Sequence, residues 1–246
     1  MSGHSKWNNI KRKKEKTDAQ KAKVFTKIGR EITVAVKEGG ADPGANSKLK
    51  DLIAKAKGMN VPNDNIDRII KKAAGSGEKD NYEDIVYEGY GPSGIAVIVE
   101  ALTDNRNRTA SDVRHYFDKF GGNLGTSGCV SFLFSTKGIV IAEIGSVDED
   151  KAMEDFLESG AEDLNIEDGI AEIETDPSAV YKIGEIIREK GYNVLSAEVE
   201  KVPSTYVSLS DEEMAKKMNL LLENLNDNDD IQAVWHNWEN EEDFDF

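Results

Sequence analysis

The residues best suited to chemistry in this sequence form a short basic run that contains one indole ring. The run comprises Lys6, Trp7, Lys11, Arg12, Lys13 and Lys14. Lysine and arginine neutralise phosphates, and a tryptophan can stack on an unpaired base or insert at a groove. The run therefore predicts contact with a nucleic-acid backbone. Two alternatives stay open at this point: a basic arm that is only solvated, and a Trp7 side chain buried in its own domain.

Charge is divided unevenly along the chain. The 246 residues have a formal net charge of −16. Residues 1–80 nevertheless hold 19 of the 31 Lys and Arg and only 10 of the 47 Asp and Glu, a net of +9, which leaves −25 for the remainder. Charge separated in this way indicates a polyanion-binding surface on one part of the protein only. We extend the predicted surface to the basic residues of the helix that follows the run, Lys21, Lys23, Lys27 and Arg30.

A second candidate site lies in a polar loop between a predicted strand and a predicted helix. It consists of Asn105, Arg106, Asn107 and Arg108. Two guanidinium groups and two amides can contact phosphates bidentately or read base edges, and the N-terminus of the following helix adds positive potential. The alternative is an ordinary capping loop in which Asp104 pairs with an arginine. Two arginines exceed what capping requires, so the loop favours a nucleic-acid contact.

No catalytic or metal-binding pattern stands out. The glycine-rich loop over residues 121–128 lacks the lysine of a P-loop, and it is predicted to be a turn. The three histidines lack metal-ligand spacing, and the single cysteine, Cys129, has no evident activating neighbour. We therefore predict no enzymatic activity, no cofactor and no metal. The single cysteine and the lack of a secretory signal or a membrane-spanning apolar run predict a cytoplasmic protein without a membrane partner.

Three amphipathic helices must position the first site. Apolar residues at spacings of three and four predict helices over residues 17–38, 47–57 and 62–75. Each helix alone would be marginal in water, so the three must share one core. We assign residues 1–78 to a basic helical domain.

The remainder of the sequence predicts two ferredoxin-like α+β domains. Residues 137–203 have the order β-α-β-β-α-β. The residues before them supply a hairpin, a helix and a strand, and the residues after them a further strand, a helix and a last strand. We therefore predict one split domain of residues 79–136 and 204–238, into which the third domain is inserted. The predicted fold class is α+β with three domains, and residues 239–246 are predicted to be a disordered acidic tail.

Several motifs in this sequence resemble those of the YebC/PmpR family. They lie in the expected order over residues 3–138. The matching stretches are Gly3-His4-Ser5-Lys6-Trp7, Asp42-Pro43 with Asn46, Lys55-Ala56-Lys57, Pro62 with Asp64-Asn65-Ile66, Tyr87-Glu88-Gly89-Tyr90-Gly91-Pro92, Thr103-Asp104-Asn105-Arg106-Asn107-Arg108-Thr109 and Gly121-Gly122-Asn123-Leu124-Gly125. The resemblance implies a helical N-terminal domain followed by two α+β domains. It also implies a role in gene expression and supplies no catalytic residues.

Two gene-expression roles are compatible with this resemblance. The family is commonly labelled as DNA-binding transcriptional regulators, and it includes the mitochondrial translational activator of cytochrome c oxidase. We predict a nucleic-acid-binding transcriptional regulator, with a ribosome- or RNA-associated translation factor as the alternative and a protein-interaction scaffold as a distant third. The predicted partner is DNA or ribosomal RNA, with the ribosome or other proteins as further partners. No helix-turn-helix pattern is visible, which weakens the case for sequence-specific reading of DNA.

Overall fold

The computed structural model describes residues 18–59, 61–75 and 82–244. These residues form seven α-helices and two four-stranded antiparallel sheets, which confirms the predicted α+β class. None of the helices in this part of the chain is both long enough and apolar enough to cross a membrane.

The three N-terminal helices are α1 (Asp18–Gly39), α2 (Ser47–Gly58) and α3 (Asn63–Gly75). They begin and end within one residue of the predicted limits. The apolar faces meet in one buried core that includes Ile32 and Leu49. This confirms the shared core that short amphipathic helices require.

The first sheet combines strands from distant parts of the sequence. Its strands are β1 (Glu83–Tyr90), β2 (Ala96–Thr103), β3 (Asn123–Leu124) and β8 (Ile231–His236), in the order β3-β1-β2-β8. Helices α4 (Arg106–Lys119) and α7 (Glu212–Asp227) cover one face, where residues such as Phe117 and Met218 are fully buried. This unit begins with a β-hairpin, so its strand order differs from that of the second sheet.

The second sheet is built from the chain segment between β3 and α7. Its strands are β4 (Phe134–Glu143), β5 (Asp163–Glu167), β6 (Ile170–Thr175) and β7 (Asn193–Pro203), and its helices are α5 (Glu149–Ser159) and α6 (Val180–Glu189). The sheet order β5-β6-β4-β7 is the ferredoxin-like arrangement of a β-α-β-β-α-β chain. The chain then returns through α7 to β8 of the first sheet. The division into three domains with the limits given above stays a prediction.

Strand β4 runs from Phe134 to Glu143 and so spans the predicted limit between residues 136 and 137, which stays a prediction. Two local expectations need correction. The strand expected over residues 203–209 is largely absent from the described chain, because β7 ends at Pro203 and a single bridge joins Val207 to Trp238. The expected disordered tail is ordered through Phe244, whose ring centroid lies 6.1 Å from that of Trp238.

Gly138 allows the second sheet to pack closely against the start of α6. A Cβ atom at this position would lie 2.8 Å from the Cβ of Val180 and 2.9 Å from the carbonyl oxygen of Asp176. We expect Gly138→Ala to lower the free energy of unfolding by about 2 kcal/mol, because overpacking forces the backbone to shift. Chemical denaturation of the wild type and the variant would measure this difference in the free energy of unfolding. The matched control is Gly58→Ala, where a Cβ would meet nothing within 4 Å; equal stabilities for the two variants would contradict this explanation.

Candidate nucleic-acid interface

The described residues include only part of the predicted interface. Lys6, Trp7, Lys11, Arg12, Lys13 and Lys14 lie outside them. The described side chains of α1 begin at Lys23, so Lys21 lies outside them too. The structure therefore places Lys23, Lys27 and Arg30 of α1 and the loop over residues 105–108.

Lys23, Lys27 and Arg30 lie along one face of α1, because spacings of four and three residues bring side chains to the same side of a helix. This face meets the C-terminal end of α7. The Nζ atom of Lys23 lies 2.7 Å from Oδ1 of Asp227. The Nζ atom of Lys27 donates to the carbonyl oxygen of Asn226 at 2.8 Å. The basic face of the helical bundle is thus joined to an acidic segment some 200 residues further along the chain.

Arg30 is held most firmly of the three. Its Nη1 atom donates to the carbonyl oxygens of Leu102 and Asp229, at 3.1 and 3.0 Å, and to Oδ1 of Asp230 at 2.9 Å. Its guanidinium carbon also lies 5.3 Å from the centre of the Tyr82 ring. The Arg30 side chain is only 18% exposed. Arg30 therefore connects the helical bundle to the first sheet, a role that its position in the sequence did not reveal.

The carboxylate of Asp230 joins the two predicted parts of the interface. Its Oδ2 atom accepts hydrogen bonds from Nη2 of Arg108 at 2.6 Å and from Oγ1 of Thr109 at 2.8 Å. Its Oδ1 atom accepts from Arg30, so one buried carboxylate binds an arginine from α1 and another from the start of α4. Burial pushes the pKa of Asp230 upward, but hydrogen bonds from Arg108, Thr109 and Arg30 outweigh burial and leave the pKa below its ordinary value.

The loop at the start of α4 divides into two kinds of residue. Asn105 caps the helix by accepting a hydrogen bond from the backbone N–H of Arg108 at 3.0 Å. Arg108 binds Asp104 as well as Asp230, with Nη2 2.8 Å from Oδ1 of Asp104. The capping alternative therefore describes these two residues. Arg106 and Asn107 remain exposed; the Arg106 side chain is 70% exposed, and its Nη1 atom lies 3.9 Å from Oε2 of Glu83.

The glycine-rich segment over residues 121–128 turns at both ends, but strand β3 lies between the turns, so the predicted turn is only part of it. Next to this segment lies a carboxylate of the protein itself, that of Glu88. Gly121 and Gly128 adopt φ values of +83° and +87°, which favour glycine. The Oε1 atom of Glu88 accepts from the N–H of Gly128 at 2.8 Å, and Oε2 accepts from Val130 at 2.9 Å and Ser131 at 2.8 Å. The N–H of Gly128 at the end of the loop and those of Val130 and Ser131 just after it thus bind the Glu88 carboxylate.

Sequence reasoning missed Glu88, Asp227 and Asp230. Glu88 is one of three acidic residues in β1, with Glu83 and Asp84, and nothing in the local sequence singles it out as the buried one. Asp227 and Asp230 belong to a cluster of acidic residues, a pattern that usually indicates only a solvated surface. Nothing in their local sequence distinguishes them from their acidic neighbours.

The described side chains show no strong catalytic arrangement. Burial, followed by the nearby charge of Glu88, raises the pKa of the Cys129 thiol, which disfavours the nucleophilic thiolate. No group of three or more His, Cys, Asp or Glu side chains within residues 18–59, 61–75 and 82–244 is placed to hold a metal ion.

The fold and these contacts define a class of protein in which a basic helical bundle is joined to the first of two acidic α+β units. Residues 5–76 match the family described as "TACO1/YebC protein N-terminal domain", and residues 82–238 match "TACO1/YebC second and third domain". The chain belongs to the TACO1/YebC family, which confirms the resemblance found in the motifs.

Similar proteins are known from several bacteria. A protein from Acetivibrio thermocellus is 59% identical over 239 residues, which cover 97% of this chain and 99% of that protein. One from Finegoldia magna is 56% identical, over 98% of this chain and all of the relative. Both carry the name "Probable transcriptional regulatory protein". The crystal structure of a conserved hypothetical protein from Aquifex aeolicus matches with a TM-score of 0.78 and 45% identity, over 91% of this chain and 92% of that one.

Proposed function

We propose that this protein is a non-enzymatic transcriptional regulator that binds nucleic acid through its basic N-terminal region. The observation that carries the proposal is the division of charge, +9 over residues 1–80 and −25 over the rest. The names of the bacterial relatives support the same role. The role places the protein in the cytoplasm, together with the nucleic acid that it binds.

The proposed interface has three parts. The first is the basic run with Trp7, in which Lys6, Lys11, Arg12, Lys13 and Lys14 contact phosphates and Trp7 stacks on a base. The second is α1, with Lys21, Lys23, Lys27 and Arg30. The third is the loop of Asn105, Arg106, Asn107 and Arg108. Since Asp230 binds both Arg30 and Arg108, the second and third parts lie side by side.

The structure supports different roles within this set. Arg106 and Asn107 are exposed and can reach a ligand without breaking a buried contact. Arg30, Asn105 and Arg108 already have partners inside the protein, and we assign them to positioning the two elements.

The acidic α+β units limit where on the protein a nucleic acid can bind. They repel a polyanion and thereby confine it to the basic part of the protein, while the summed field of the basic part steers its approach. Exposed lysines outside the sequence-predicted set extend the basic surface of the bundle; these are Lys50, Lys57, Lys71 and Lys72. Phosphate contacts of this kind supply affinity and little sequence information, so any preference for a sequence must come from base contacts or from sequence-dependent DNA shape.

Salt dependence is the direct test of this proposal. We expect the logarithm of the affinity for duplex DNA to fall linearly with the logarithm of the salt concentration. Lys13→Gln should reduce that slope by about 0.9, the contribution of one neutralised phosphate. The measurement is a fluorescence-anisotropy titration at several salt concentrations. Lys182→Gln removes the same charge from an exposed position on α6 and serves as the control, with no change in slope expected. An affinity of the wild-type protein that does not change with salt concentration would refute the proposal.

The kind of nucleic acid is tested separately. Ultraviolet crosslinking in cells, followed by identification of the attached nucleic acid, should recover promoter DNA if the protein is a transcriptional regulator. Ribosomal RNA crosslinked near Trp7 or Arg106 would instead establish the alternative of a translation factor. Recovery of neither would contradict both nucleic-acid roles and point to the protein-interaction scaffold.

A further inference from the structure

The contact between α1 and the end of α7 has the chemistry of a phosphate contact. The last turn of a helix carries free carbonyl oxygens and a partial negative charge. Here these oxygens include the carbonyl of Asn226, with the carboxylate of Asp227 beside it. Lysine side chains that bind such oxygens can equally bind the oxygens of a phosphodiester.

The three basic residues differ in how easily their present partners can be replaced. The ion pair of Lys23 and Asp227 faces water, with the side chains 41% and 72% exposed. The bond from Lys27 to the Asn226 carbonyl is likewise exposed. Arg30 and Asp230 are only 18% and 7% exposed, and Arg30 makes three hydrogen bonds at once. Exposed pairs contribute little to stability, whereas separating a buried pair costs far more.

We propose that Lys23 and Lys27 form a phosphate-binding surface whose oxygen partners in the free protein, Asp227 and the Asn226 carbonyl, give way to the backbone phosphates of a nucleic acid. Arg30 stays bound to Asp230 and holds α1 in place during this exchange. A lysine side chain is long and flexible enough to turn toward a new oxygen without movement of its helix. This inference rests on the proposed function. It adds that nucleic-acid phosphates bind at Lys23 and Lys27 of α1, and that Asp227 and the Asn226 carbonyl compete with them for these lysines.

The consequence is competition within one molecule. A carboxylate that occupies Lys23 in the free protein must lower the affinity for nucleic acid by the free energy of its own contact. We therefore expect Asp227→Asn to tighten binding to a mixed-sequence duplex DNA about two- to five-fold at low salt, the range that an exposed ion pair allows. Lys23→Gln should weaken binding and reduce the salt slope by about 0.9.

Asp229→Asn is the matched control for the loss of charge. Asp229 is exposed and lies two residues from Asp227, and it contacts Arg30 only through its backbone carbonyl. The control therefore removes the same charge without freeing Lys23, and we expect a smaller gain in affinity from it. Urea unfolding of each variant, unchanged from the wild type, would show that the effects do not come from loss of structure.

The outcomes separate this inference from the proposed function. Equal gains from Asp227→Asn and Asp229→Asn, or an unchanged salt slope in Lys23→Gln, would overturn the exchange at α1. If Lys13→Gln still reduces the slope in those circumstances, the proposed function stands without it. Failure of the wild-type protein to bind either DNA or RNA would overturn both.

Discussion

Replacing Asp230 with alanine is expected to lower the free energy of unfolding by about 3 kcal/mol, the lower end of the cost of breaking a buried ion pair. The substitution leaves the largely buried Arg30 without its carboxylate and removes an acceptor from Thr109. The lower end applies because Arg108 is 46% exposed and keeps Asp104 as a partner. The change should loosen the junction of the helical bundle with the first sheet.

Urea unfolding followed by tryptophan fluorescence would measure this effect. Asp229→Ala removes a neighbouring exposed carboxylate, and a change within about 0.5 kcal/mol is expected for it. A loss of less than about 1 kcal/mol in Asp230→Ala would mean that water replaces the carboxylate without penalty, and that Asp230 does not stabilise the junction.

The same carboxylate has a defined dependence on pH. Its pKa in the folded protein lies below the ordinary value of 3.8. Asp230 therefore contributes its full stabilisation above that ordinary value, and the contribution is lost as the pH falls through the lowered folded value. The difference in stability between the wild type and Asp230→Ala should be constant near neutral pH and should shrink only in strong acid.

Replacing Glu88 with glutamine is expected to lower the free energy of unfolding by about 2 to 3 kcal/mol. The three backbone N–H groups that bind Glu88 would lose its negative charge and one of its two acceptor oxygens. The two carboxylate oxygens serve the N–H groups of Gly128, Val130 and Ser131. A glutamine supplies one acceptor oxygen and places an NH₂ group against at least one of these donors. Glu88 is only 4% exposed, so water cannot readily compensate.

Hydrogen exchange gives this second prediction a local readout. The amides of Gly128, Val130 and Ser131 should exchange faster in Glu88→Gln, together with the drop in global stability. Glu185→Gln, at an exposed position on α6, is the control and should leave both unchanged. Unaltered exchange at the three amides would show that the loop holds its conformation without the carboxylate.

The pKa of Glu88 agrees with stabilisation of its carboxylate by the three backbone N–H groups. Burial pushes the pKa upward, but the backbone hydrogen bonds from Val130, Gly128 and Ser131 outweigh burial and leave it below its ordinary value. The charged form is therefore favoured in the folded protein. Its stabilising contribution is present above the ordinary carboxyl pKa and is lost as the pH falls through the folded value.

The sequence by itself determined the helical bundle and the β-α-β-β-α-β unit. Helix α1 was predicted within one residue of Asp18–Gly39, because burial of one helix face requires apolar residues at spacings of three and four. The charge division and the family motifs were equally visible, since both depend on composition and local order. These features depend on residues that are close together in the sequence, so they can be identified without knowing which distant segments meet in the fold.

Only the tertiary structure decided what the charged side chains contact. Lys23 and Asp227 are separated by 204 positions, and Glu88 and Gly128 by 40. Any of the 47 acidic residues could have paired with a lysine of α1, because ion pairing carries no sequence periodicity. The choice depends on how the bundle docks against the end of α7 and how the glycine-rich loop folds over β1. Packing of distant surfaces, rather than the chemistry of the residues alone, therefore assigned Arg30 and Asp230 to the junction and left Arg106 and Asn107 open to solvent.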